Sequence, residues 1–123
     1  MMIEKQSKAQ GLNLSNRVAM RRALSVVQLF RELQSDLPLQ TASLFVHIAA
    51  NPGISIKQLI EETGGRQATI SRTISVLSKW QEVDKPGFGL VWTKEDPHER
   101  RRKLVFLTDK GEEFAAELAD IIR

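Results

Sequence analysis

The chain of 123 residues contains no cysteine. That excludes a disulfide scaffold, thiol catalysis, thiol redox sensing and a cysteine zinc site. It also lacks a long apolar run: the longest, Leu104 to Leu107, is four residues, against the roughly 20 needed to cross a bilayer. The first ten residues, MMIEKQSKAQ, have no apolar signal core, so a reduced, soluble, cytoplasmic protein is expected. No G-x-S-x-G, phosphate loop, pair of catalytic carboxylates or nucleophile with a base occurs, and neither an enzyme nor a cofactor is expected. Histidines are scarce. His47 sits among apolar neighbours and reads as structural, while His98 has Asp96 and Glu99 near it but no second histidine, so no metal site is expected. What is present, 41% hydrophobic and 27% charged residues, is ordinary globular usage in a chain of one-domain length.

Charge is unevenly placed. Residues 1–31 carry six basic groups and one acid, and residues 32–63 carry one against four. Between Gly64 and Trp80 lie Arg66, Arg72 and Lys79 and no acid; Lys94 to Lys103 holds five basic groups against three acids, and the tail from Leu104 holds two against five. Three basic stretches separated by acidic ones suit either a solvated surface or a stripe facing phosphates.

Residues 1–15 read as a polar arm and 16–123 as one domain. A helix capped by Ser15 or Asn16 is expected to run to about Ser35. Met20, Leu24, Val27 and Phe30 form one apolar stripe on it, and Val18, Val26, Leu29 and Leu33 lie well around the cylinder. A helix apolar on two sides is gripped on two sides, and in so short a chain the second grip is expected to be another subunit. A second helix spans about Leu39 to Ala50 and closes at Asn51-Pro52-Gly53. Ser55 and Gln58 then form an S-x-x-Q capping box flanked by Ile54 and Leu59 at staple positions, opening a two-turn helix that ends at Gly64-Gly65.

The next helix, expected over Arg66 to Trp80, stacks Ile70, Ile74 and Leu77 on one face. Ala68, Arg72, Ser75, Val76 and Lys79 project from the other. That outer face is small or hydroxylated, with a guanidinium near its middle and no acid. Small residues permit close approach, and Gln67, Thr69, Ser71, Ser75 and Arg72 match base edges and phosphates. A short helix, a glycine turn and such a helix make a helix-turn-helix. After a polar loop (Gln81 to Phe88), Gly89 to Thr93 and Lys103 to Leu107 read as antiparallel strands, with Arg100, Arg101 and Arg102 at the hairpin tip. Trp80 and Trp92 are expected in the core. Thr108 caps a last helix, 108–123, carrying Phe114, Leu118, Ile121 and Ile122. The fold class is mainly α with a small antiparallel β-hairpin, a winged helix-turn-helix.

The run Asp96-Pro97-His98-Glu99-Arg100-Arg101-Arg102-Lys103-Leu104-Val105-Phe106-Leu107-Thr108-Asp109-Lys110-Gly111 resembles the wing pattern D-P-x-D-R-R-x-x-x-V-x-L-T-x-x-G of the MarR family. Leu44 to Gly53 is similar to that family's core helix and its turn, and Ala68 to Arg72 to the start of its recognition helix, so coverage runs from about Leu39 to Gly111. Three departures stand out: Glu99 in place of the usual Asp, about eight extra residues from Gln81 to Phe88, and a short closing helix. The resemblance implies a homodimeric winged-helix transcription regulator. It also implies small aromatic or phenolic effectors, although most of the family's effector pockets use a region this chain does not contain. Dimerisation is expected through Met20, Leu24, Val27, Phe30, Leu118, Ile121 and Ile122.

The expected partner is double-stranded DNA bearing a palindromic or pseudo-palindromic operator. The recognition helix and Ser55 would lie at the major groove and the three wing arginines in the minor groove, where narrow width concentrates negative potential. Repression by occluding promoter elements is the simplest mechanism. The alternative is a winged-helix module for protein interaction, or for replication and partition of a mobile element.

Overall fold

The computed structural model describes residues 13–123, so most of the expected arm lies outside the described residues. Helix α1 (Leu14–Leu33) begins two residues before the expected start, because the Asn13 side chain accepts a hydrogen bond from the Asn16 amide at 2.8 Å. The Asp36-Leu37-Pro38 turn leads to α2 (Leu39–Ala50), whose bounds are those expected. At Gly53, φ is +85° and an added Cβ would lie 3.2 Å from the Phe106 ring, so both the backbone and the space call for glycine.

Ile54–Ser55 forms a short strand, β1, that the sequence did not suggest. Ser55 then caps α3 (Ile56–Thr63): its hydroxyl accepts from the Gln58 amide at 3.0 Å, and Gln58 Oε1 accepts from the Ser55 amide at 3.2 Å. Gly64, at φ +69°, ends that helix in the left-handed conformation. Helix α4 (Gln67–Leu77) is shorter than expected. The chain leaves it at Ser78 and makes a hairpin of β2 (Trp80–Glu82) and β3 (Lys85–Pro86) where a polar loop was expected. Strands β4 (Val91–Asp96) and β5 (Glu99–Leu107) form the wing and join β1 in an antiparallel sheet of order β1-β5-β4. Helix α5 (Asp109–Ile122) closes the described chain, with Thr108 Oγ1 accepting from the Gly111 amide at 3.0 Å.

The core is continuous. Leu44, Phe45, Ile48, Leu59, Ile70, Leu77, Leu90 and Val105 are at most 1% exposed, each worth about 1.5–3 kcal/mol relative to exposure. Phe30, Phe45 and Phe114 meet edge-on or tilted, with ring centroids 5.3–6.3 Å apart, and tie α1, α2 and α5 together. Two expected interface residues, Phe30 and Leu118, are therefore core residues of the chain itself, 8% and 7% exposed. The two tryptophans depart from expectation the other way. Trp80 is half-exposed on the small hairpin, and Trp92 lies on the outer face of the wing, stacked on Phe106 at 5.0 Å.

The strip 87–90 explains the extra residues after α4. Its four amides donate to the carbonyls of Lys79, Val76, Ser78 and Leu77 respectively, at 2.8–3.0 Å. Those of Val76, Leu77 and the C-cap residue Ser78 are carbonyls that the end of a helix leaves without intrahelical partners, while the bond to Lys79 closes the small hairpin. On its other side, the Phe88 carbonyl accepts from Lys110 Nζ at 2.8 Å, that of Gly89 from Thr108 Oγ1 at 2.6 Å, and that of Leu90 from the Thr108 amide at 3.0 Å. The hairpin carries the chain out and brings it back to cap the helix it has just left.

Candidate nucleic-acid interface

Helix α4 is set by its buried side: Ile70, Thr73, Ile74 and Leu77 are packed away, which fixes the opposite side outward. Gln67, Ala68 and Arg72 are exposed, and Thr69, Ser71 and Ser75 are half-buried on the flanks. The Ser75 hydroxyl donates to the Ser71 carbonyl at 3.1 Å, a bond within the helix that points it back along the axis. Arg72 has no acidic partner among the described residues. Ser55, expected at the interface, is 2% exposed with its hydroxyl engaged in the capping box, so it leaves the candidate site.

The wing differs from expectation in a way that matters for charge. Its tip is Pro97-His98, where Asp96 Oδ1 accepts from the His98 amide at 2.8 Å. Arg100, Arg101 and Arg102 lie within β5 rather than at the tip. Glu95 pairs with Lys103 but Asp96 with Glu99, so one step along β4 faces four along β5. The three arginines occupy that bulge without β4 partners, which frees their directions from strict alternation. Arg102 folds back onto the acids, 3.8 Å from Asp96 and 3.5 Å from Glu99. The pairing of acid and arginine within the wing survives the extra methylene of Glu99. Arg100 and Arg101 are exposed and have no acidic partner among the described residues.

Between α3, α4 and the wing runs a groove of about 470 Å³. Ile56 and Ile60 lie at its base, Gln67 and Ser71 come from α4, and Lys57, Arg101 and Lys103 bring positive charge. Sequence reasoning missed Lys57 and Lys103. The usable signal for Lys57 was its place two residues after the Ser55 cap. Lys103 faces Glu95 across the wing, and its place could be read only once the bulge was known.

Away from this face, Met20, Leu24 and Val27 of α1 are 58%, 54% and 50% exposed, and Ile122 of α5 is 62% exposed. Ile121 is half-buried against the core. Among the described residues no helix is long and apolar enough to cross a membrane.

No family model matches the chain in sequence, and no curated protein does. Solved structures do match in fold. A MarR transcriptional regulator from Methanosarcina mazei Go1 is 20% identical at a TM-score of 0.61, over 96% of this chain and 74% of its own. A MepR mutant from S. aureus, bound to an oligodeoxyribonucleotide, is 16% identical at 0.65, over 88% and 72%. A MarR mutant from E. coli, complexed with operator DNA, is 17% identical at 0.59, over 87% and 72%. The architecture of this chain is that of the MarR-like winged helix, with five helices and a small antiparallel sheet among the described residues.

Proposed function

We propose that this MarR-like winged helix is a sequence-specific double-stranded DNA-binding transcription regulator that acts as a homodimer, most simply a repressor. One observation carries the reading: the outward face of α4 presents Gln67, Ala68 and Arg72 with no acid between Gly64 and Trp80, beside a wing whose Arg100 and Arg101 have no acidic partner among the described residues. Solvated helix faces mix acids with bases; a face cleared of acids suits a polyanion. In this reading α4 enters the major groove with Arg72 toward a base edge, flanked by Gln67, Thr69, Ser71 and Ser75, and Arg100 reaches the minor groove. The fold neighbours from S. aureus and E. coli hold DNA, which supports the same partner here. Small-molecule effectors are not part of the proposal.

The second subunit follows from α1. As far as Gln28 it buries no residue fully, and it exposes Met20, Leu24 and Val27 beside Arg17, Arg21 and Arg22. Helix α5 carries Asp109, Glu112, Glu113, Glu117 and Asp120 and ends in exposed Ile122. The apolar stripe of α1, bordered by bases, suits the acidic α5 of another copy with its exposed Ile122. The test is selection of bound sequences from a random duplex pool, with the mass of the complex measured alongside. Two inverted half-sites about one helical turn apart, bound by two copies, are expected. Enrichment of direct repeats by a monomer, or of no sequence at all, would overturn it.

A further inference from the structure

We infer that the groove between α3, α4 and the wing is a channel for one sugar–phosphate strand of duplex DNA, held by Lys57, Arg101 and Lys103; this rests on the DNA-binding reading above. The charge balance is local. The only acid lining the groove is Glu99, and its carboxylate is 3.5 Å from Arg102, which also lies 3.8 Å from Asp96. Arg102 is shared between these two acids, and the groove lining still holds Lys57, Arg101 and Lys103 as bases in excess of its one acid. None of the three makes an ion pair within 4 Å among the described residues, although Lys103 stands opposite Glu95 in the β4–β5 register.

Position points the same way. A helix seated in a major groove and a wing reaching the neighbouring minor groove must have one backbone strand between them. The groove lies between those two elements and is walled by Gln67 and Ser71, on the flank of the face that bears Arg72. Its lining also matches the strand's chemistry: half-buried Ile56 and Ile60 offer an apolar floor for the deoxyribose, and compact ammonium groups and a guanidinium serve the phosphates. Duplex RNA fits less well, because its deep, narrow major groove does not admit α4. The three wing arginines then divide: Arg102 stiffens the bulge, Arg101 serves the channel and Arg100 stays free for the minor groove.

The experiment measures the affinity of the full chain for a random-sequence DNA duplex against salt, for wild type, Lys57→Gln, Lys103→Gln and the double variant. At about 0.9 per phosphate contact and two copies per complex, the slope of log K against log salt should fall by about 1.8 for either lysine and about 3.6 for both. Lys85→Gln, on the exposed β3 and away from the groove, makes the same change in net charge and should leave the slope unaltered. Folded variants with the wild-type slope, or with no more change than Lys85→Gln, overturn the channel while leaving DNA binding intact. A matching loss on an A-form RNA duplex, at equal or tighter wild-type affinity, assigns the groove to RNA and overturns it too. Wild type that binds no duplex at all overturns the DNA-binding reading and the channel with it.

Discussion

Replacing Gly87 by alanine adds a single methyl group to the strip that caps α4. That Cβ would fall inside the contact envelope of the Ser78 carbonyl oxygen, at 2.5 Å from that of Val76 and 3.0 Å from that of Ser75. All three are helix backbone atoms, so no rotamer change relieves the clash. The strip must move off the end of α4, and the four hydrogen bonds of residues 87–90 lengthen with it. Overpacking of this kind costs about 1–3 kcal/mol. Forfeiting two of the four bonds adds about 1–3 kcal/mol at roughly 0.5–1.5 each, so a total near 2–6 kcal/mol is expected. At about 4 °C per kcal/mol for a domain of this size, the thermal midpoint followed by circular dichroism should drop by about 8–24 °C. Gly64→Ala is the contrast: nothing lies within 4 Å of its added Cβ, and only the φ of +69° opposes it, for about 1–2 kcal/mol. A Gly87→Ala protein melting within about 2 °C of wild type would refute the reasoning, since even the low end of the overpacking cost exceeds that shift.

Val27→Glu should weaken dimerisation by placing an unpaired charge in an apolar interface while leaving the fold intact, because Val27 is 50% exposed; sedimentation at micromolar concentration reads this. Phe30→Glu should unfold the chain instead, as Phe30 packs on Phe45 and Phe114. Arg72→Ala should cost about 1–3 kcal/mol per half-site and relax preference at one base pair; equal losses on selected and random duplexes would make it a phosphate contact. Ser55→Ala should lower stability by about 0.5–2 kcal/mol through loss of the capping box, measured by urea unfolding. It should not change the salt dependence of duplex binding, because the hydroxyl faces the backbone of α3.

Elements announced by local chemistry were legible in the sequence. The bounds of α2 followed from the proline before it and Asn51-Pro52-Gly53 after it, and the start of α3 from Ser55 and Gln58. The same capping box should have removed Ser55 from the DNA-facing set, since a hydroxyl that holds an amide is not free to meet phosphate. Helical periodicity marked two apolar sides on α1 but could not say which faces its own core. Phe30 turned inward while Met20, Leu24 and Val27 stayed out, a choice made by packing against Phe45 and Phe114. The small hairpin escaped because two- and three-residue strands carry no period. The bulge escaped because register is a property of two strands together, and it decided which wing arginines are paired and which are free.

The strip 87–90 has a mechanical consequence. Its amides from Phe88 onward are committed to the end of α4, and its carbonyls from Phe88 onward to Lys110 and Thr108 at the start of α5. At Gly111 an added Cβ would press on the Leu90 carbonyl, so the contact on that side is as close as the one at Gly87. Sliding the strip along either helix would break several bonds at once. The end of α4 and the start of α5 are therefore tied to each other through a strip bonded on both of its sides.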